Sequence, residues 1–298
     1  MGGLRPVNVG RSARPGADRP CMSAAAAPQQ ADNRRVDATE HWAEALSRWA
    51  IPPAILAQAQ DSPWALPPWA FADATRLALA GAPTPTHLRA AAELSGGGVL
   101  LDVGAGAGAA SLPLAASVAH IVAVDQSSAM LREMERLAEG RVQVIPVEGV
   151  WPEAAERVET ADVVICANVA YNVAALDQFV AALTAKARRK VVMELTRVHP
   201  QTPLNWLWQH FWDLPRPETP TADDAAQVVR ETLDVDVQME LWNGREPLAA
   251  EPSPEAVNWL LRRLCLSADH DQELARLLRS KPKAAPAQMV SLWWPGGG

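Results

Sequence analysis

The run "LLDVGAGAGAASLPLA", Leu100 to Ala115, constrains this chain more than any other stretch. An apolar segment stops at an acid, Asp102, and Gly104, Gly106 and Gly108 follow at alternate positions. Glycine is required where φ is positive and where backbone must come close to another group. Such a loop after a strand opens a helix in doubly wound α/β folds, so the spacing predicts a helix over about 106–118. A second apolar run, "IVAVD", ends in another acid, Asp125.

The chain beyond this loop keeps the same rhythm. Candidate strands are Val99–Val103, Ile121–Asp125, Val142–Val147, Asp162–Ala167, Lys190–Glu194, Val235–Trp242 and Gln288–Trp294. Helical stretches at about 128–139, 174–187 and 222–233 fill the gaps. Short apolar strands alternating with helices predict an α/β fold with a doubly wound, mostly parallel seven-stranded sheet and helices on both faces. Before the sheet, Trp42, Leu46 and Trp49 fall at helical spacing. Further helices are expected at about 53–60, 70–80 and 86–94, so residues 39–96 read as a helical cap. Residues 1 to about 38, rich in Arg, Pro, Gly and Ala, read as a disordered extension, with Met22 an alternative start. The remainder, 97–298, reads as the sheet domain with insertions at 198–220 and 243–285.

At 298 residues and 49% hydrophobic content the chain can bury a substantial core. No apolar run approaches the ~20 residues of a membrane span. Three widely spaced cysteines, Cys21, Cys166 and Cys265, suggest neither a metal knot nor a disulfide scaffold, and a reducing cytoplasm is the expected setting. The net charge of −7 argues against a nucleic-acid partner. The basic run "KARRK" reads as solvated residues at a helix end.

The glycines satisfy two templates. One is the G-x-G-x-x-A loop that cradles the pyrophosphate of NAD or FAD, and the other is the loop that holds S-adenosylmethionine. Asp125 can accept hydrogen bonds from ribose hydroxyls in either case. Asp102 separates them. A carboxylate repels a pyrophosphate in a low-dielectric cleft, whereas S-adenosylmethionine brings a sulfonium and an α-ammonium. Asp102 can also order the turn by accepting backbone N–H groups.

"LLDVGAGAG" together with "DQSSAML", Asp125 to Leu131, resembles the class I S-adenosylmethionine-dependent methyltransferases. The resemblance covers about 99–195. It implies that Asp102, Gly104, Gly106 and Gly108 lie along the methionine part of the cofactor and Asp125 holds the ribose. Gln126 and Met130 would lie near the adenine. It also implies a sixth strand and an antiparallel seventh, which "DVQMELW" and "QMVSLWW" suit. One position departs from the pattern. After the third strand the family often carries an acid for the adenine amino group, but here "PVEGVWPEAAE" offers Glu148, Gly149 and Val150. Trp151 either stacks on adenine or packs in the core.

The fourth strand runs into "ICANVAYNV" and the fifth ends "MELTRVHP". Asn168 there caps the turn or contacts the cofactor. Methyl transfer is an in-line displacement at an activated carbon, so positioning can suffice. An acceptor that must lose a proton needs a base, and His199, Glu194 and Tyr171 are the candidates, in that order. His199, followed by Pro200, also reads as an ordinary loop histidine. The six histidines form no metal-ligand cluster, so no metal is expected. Twelve tryptophans are present, eight of them in the helical segment and insertions. Most read as packing, and a few as walls of an aromatic pocket. The expected activity is methyl transfer to a small apolar or aromatic molecule. The alternatives are a non-catalytic cofactor-binding module, an NAD(P)-dependent oxidoreductase, and a methyltransferase acting on protein or RNA.

Overall fold

In the computed structural model, residues 37–64, 68–94, 96–244, 253–280 and 285–298 are described, side chains 68 and 69 excepted. The expected extension over 1–38 thus lies almost wholly outside the described residues, as do parts of the 243–285 insertion.

Seven strands form one sheet: β1 Gly98–Val103, β2 Val118–Asp125, β3 Gln143–Glu148, β4 Ala161–Ala167, β5 Ala187–Thr196, β6 Gln238–Asn243 and β7 Gln288–Pro295. Their order is β3-β2-β1-β4-β5-β7-β6. The pairs from β3 through β5 are parallel, and β7 runs antiparallel between β5 and β6. The central strands are near-continuous apolar runs because both faces are covered. Leu101, Val164 and Val191 face one side, and Leu100, Val163 and Val192 the other, all fully buried.

The first face carries α1 Ala38–Ser47, α6 Leu176–Lys186 and α8 Ala222–Leu233. Trp42 on α1 is fully buried there, and its indole N–H donates to the Val173 carbonyl at 2.8 Å. Both α1 and α8 start on side-chain caps, Asp37 to the Thr39 N–H and the Thr221–Asp224 capping box. The second face carries α3 Pro68–Ala80, α4 Pro85–Ala91 and α5 Ser128–Ala138. Outside these layers, α7 Asn205–Trp212, α9 Pro254–Arg263 and α10 Asp271–Ser280 form a separate apolar cluster with residues of the loop around the one-turn helix α2 Pro53–Leu56.

The helix expected over 106–118 is not there. Turns run from Gly104 to Ser111, and a 3-10 segment, Leu112–Ser117, leads straight into β2. Three residues at positive φ and Pro113, which lacks an N–H, prevent regular i→i−4 bonding over so short a stretch. The space that helix would fill is taken by α3 and α4. Ala72, Ala90 and Leu94 pack there against Leu100, Leu112 and Ile121. Elsewhere the differences are at boundaries: β5 starts at Ala187 rather than Lys190, β6 at Gln238 rather than Val235, and the helix expected over 53–60 stops at Leu56. The basic run is not simply solvated. Arg188 pairs with Asp162 at 3.0 Å and Lys190 with Glu93 at 2.6 Å, tying β5 to β4 and to the end of α4.

Candidate active site

The sheet order reverses between β1 and β4, and the loops at their carboxyl ends diverge around a crevice. Ligands of open α/β sheets bind at such a switch point. The glycine loop forms its floor. Gly104, Gly106 and Gly108 have φ of +72°, +51° and +88°. A Cβ on Gly104 would collide with Val169 Cγ2, so the loops after β1 and β4 meet only because position 104 has no side chain. Asp125 closes the loop from β2. Its carboxylate accepts the Gly106 N–H at 2.8 Å and the Ser127 N–H at 2.8 Å, leaving one lone pair on each oxygen. From the helical segment, Phe71 on α3 stands over Gly106, and Thr75 Oγ1 donates to the Ala107 carbonyl at 3.0 Å.

Asp102 lies beneath the loop at 1% exposure. It shares with Leu100 the face covered by α3–α5, and neither carboxylate oxygen has a partner in good hydrogen-bond geometry among the described residues, although the Ser111 hydroxyl is close enough to favour its charge. The turn-ordering role considered for Asp102 is therefore not what this geometry shows: Asp125 accepts the loop N–H instead. Burial pushes the Asp102 pKa up to about 7, with the Ser111 hydroxyl pulling the other way and the Asp125 charge adding to the rise. Buried carboxylates are normally paired, and an orphaned one marks a place for a cation or a donor from outside the protein. That chemistry suits a sulfonium or ammonium and opposes a pyrophosphate.

The other expected cofactor residues gather along the same edge. Gln126 follows Asp125 and is exposed, and Met130, in the first turn of α5, is buried. Glu148 and Val150 are exposed at the end of β3, with Gly149 between them donating its N–H to the Asp125 carbonyl at 2.9 Å. A side chain on Gly149 would meet the Arg157 guanidinium. Trp151 resolves to core packing: it is 7% exposed, and its indole N–H donates to the Phe179 carbonyl at 3.3 Å.

Across the crevice, Asn168 ends β4 in the left-handed region at φ 60°, its N–H donating to the Glu194 carbonyl at 2.7 Å. Its side-chain amide donates to Glu194 Oε1 at 3.4 Å. Glu194 is half-buried at the end of β5. Tyr171 and His199 belong to a different group. The Tyr171 hydroxyl donates to the Thr196 carbonyl at 2.8 Å, and its ring stacks on Trp42 at 5.6 Å. Burial holds its pKa well above the ordinary phenol value, helped by the Asp224 charge. The His199 ring stacks on Trp49 at 3.8 Å and meets the Tyr171 edge at 5.2 Å. Its Nδ1 accepts the Gln201 N–H at 3.2 Å. Burial, with the charges of Arg216 and Arg263, pushes its pKa down to about 3, so the imidazole is neutral and weakly basic. The three candidate bases are thus not one constellation: Glu194 sits with Asn168, while Tyr171 and His199 are walled in by tryptophan. Sequence reasoning missed Phe71, Thr75 and the two arginines. Nothing in their local patterns ties Thr75 to the glycine loop 32 positions on, or Arg216 and Arg263 to the Trp49 and Pro63 carbonyls 167 and 200 positions away, and only the tertiary packing does.

Comparison with known proteins adds to this geometry. Residues 100–191 match the family described as "Methyltransferase domain". The YcgJ protein of Bacillus subtilis has a similar structure at 15% identity, with a TM-score of 0.50 over 74% of this chain and 98% of that one. A magnesium protoporphyrin IX methyltransferase of Synechocystis, solved with bound S-adenosylhomocysteine, aligns at 15% identity and a TM-score of 0.46, covering 76% and 83% of the two chains. An S-adenosylmethionine-dependent methyltransferase of Thiobacillus denitrificans aligns at 17% identity and 0.42, covering 71% and 90%. No curated protein matches the chain in sequence. The domain match spans the glycine loop, both acids and the crevice strands, so residues 100–191 are similar to a methyltransferase domain.

Proposed function

We propose that this enzyme methylates a small apolar or aromatic molecule held between the crevice and the helical, tryptophan-rich additions. When bound, S-adenosylmethionine supplies a methyl group on a positively charged sulfur. The chain's own residues do the rest. The backbone of Gly104–Gly108 gives close approach, and the free lone pairs of Asp125 take ribose hydroxyls. Gln126, Met130, Glu148, Gly149 and Val150 border the adenine side. Asp102 lowers the energy of a cationic ligand from beneath the loop. Phe71 and Thr75 hold α3 over the loop and restrict water there.

Where the acceptor must lose a proton, we assign the base to Glu194, with Asn168 orienting it. An imidazole whose conjugate acid titrates near 3 is too weak a base, and the Tyr171 hydroxyl is committed to Thr196. The observation that carries the reading is the pair of orphaned Asp102 oxygens in a fully buried position beside the loop. Calorimetry with S-adenosylmethionine and with NADH tests it. Binding of the first and not the second is expected, and the reverse overturns the assignment. Release of S-adenosylhomocysteine in the presence of an acceptor pool separates an enzyme from a binding module.

A further inference from the structure

Seven buried side-chain polar atoms lack a hydrogen-bond partner among the described residues, and they fall into two groups. Three belong to Asp102 and Ser111 under the glycine loop. The other four are Thr202 Oγ1, Asn205 Oδ1, Arg216 Nε and Arg263 Nε, with Arg216 against the Trp49 that stacks on His199 and Arg263 among Trp64 and Trp259. The Arg216 guanidinium lies over Trp49 at 5.4 Å and Trp208 at 5.1 Å. That of Arg263 lies over Trp64 at 5.7 Å and Trp259 at 5.3 Å, and the residue is only 8% exposed. Backbone carbonyls of Trp49, Ala50 and Pro63 take some of their donors. No ion pair to a carboxylate is found for either arginine among the described residues, although both charges are felt at the His199 ring. The Asn205 side-chain amide donates a hydrogen bond to the Pro217 carbonyl at 3.1 Å, and the Thr202 N–H donates to the His199 carbonyl at 2.9 Å.

Burying a guanidinium is costly unless an anion compensates, and removing a partner from a buried pair leaves the full penalty. Tryptophan faces attract the cations but do not neutralise them. Backbone carbonyls satisfy donors and leave the charge. Two such arginines, Arg263 buried and Arg216 half-buried, each with an unused N–H, together with the unused Thr202 hydroxyl as a further donor, suit a group with negative charge and several acceptor oxygens, and the Asn205 amide oxygen can accept only from an O–H or N–H of the same ligand.

We propose that this tryptophan-walled cluster binds the anionic end of the methyl acceptor, so that the substrate class is an aromatic acid: a planar ring carrying a carboxylate or a phosphate. The ring lies among the indoles and the anion bridges Arg216 and Arg263. Neutral His199 adds a ring face without adding or removing charge. This rests on the reading that the acceptor enters beneath the tryptophan-rich additions.

The test is a titration of intrinsic tryptophan fluorescence in the full chain, with and without saturating S-adenosylhomocysteine. The probes are benzoate, phenyl phosphate and the neutral benzamide. Saturable quenching by at least one anion, about tenfold or more tighter than by benzamide and weakened by added salt, is expected. The tighter anion identifies carboxylate or phosphate as the source. Arg263→Gln should lose about tenfold or more of that affinity, and Arg216→Lys a smaller part, with S-adenosylhomocysteine affinity by calorimetry unchanged. Equal binding of benzamide and both anions by the unsubstituted protein overturns the proposal without recourse to any variant. So does full anion affinity in a folded Arg263→Gln protein. Failure of S-adenosylhomocysteine to bind, with anion binding intact, counts instead against the cofactor reading.

Discussion

Replacing Asp102 by Asn removes a buried charge and keeps the shape. A carboxyl held at about 7 instead of the ordinary 3.8 costs the folded protein about 4 kcal/mol once it is ionised. The sign follows from proton binding. The folded carboxyl holds its proton more tightly than the unfolded one, so stability from this group is present in acid. It falls as the pH rises through about 7 and levels off above that. The amide has no such dependence, and whatever its N–H groups cost is the same at every pH. Between about pH 5.5 and pH 8.5 the stability of Asp102→Asn relative to the native residue should therefore rise by about 2 kcal/mol, or about 4–8 °C in melting temperature. The same substitution should weaken S-adenosylmethionine binding by about 1–3 kcal/mol, roughly 5- to 150-fold, because it deletes the charge that complements the ligand. Thermal denaturation at the two pH values and calorimetry with S-adenosylmethionine measure both effects. A pH-independent difference in melting temperature would refute the burial argument. Unchanged affinity in the folded variant would refute the charge argument.

Other substitutions probe separate contacts. Gly104→Ala forces a Cβ into Val169 at φ +72° and should destabilise the protein by about 1–3 kcal/mol, measured by urea unfolding, with cofactor affinity falling in parallel. Trp42→Ala empties a fully buried site and removes both the Val173 hydrogen bond and the Tyr171 stack, for a loss of about 3–5 kcal/mol on the same assay. Glu194→Gln should lower kcat about 100-fold or more with an acceptor that must be deprotonated, while a folded His199→Gln protein should keep the pH profile of the native enzyme. A His199→Gln profile that loses a limb would return the base to the imidazole. Thr75→Val removes the bond from α3 to the Ala107 carbonyl and should weaken S-adenosylmethionine binding a few-fold, with a stability loss of about 1 kcal/mol.

The strand–loop pattern was legible because its causes are local. Apolar runs of strand length, glycines needing positive φ and acids at strand ends sit within a few residues of one another, and the spacing from Asp102 to Asp125 reproduces the distance between two neighbouring parallel strands. The helix expected after the loop failed for an equally local reason, Pro113 and three positive φ values, that the α/β pattern overrode. Its replacement by α3 and α4 could not be read, because Ala72, Ala90 and Leu94 reach that face only through the path of the chain.

The sequence by itself determined the architecture of the sheet, the place of the glycine loop and the choice of a cation over a pyrophosphate, since each depends on residues close in the chain. Only the tertiary structure decided the rest. It buried Asp102 without a hydrogen-bond partner among the described residues, brought Trp49 onto His199 across 150 positions and set two arginines from separate insertions among tryptophans with no ion pair among the described residues. Burial and long-range charge are properties of the packed molecule. They hold the pKa of His199, the first candidate base, down to about 3, while Glu194 stands half-buried at the end of β5.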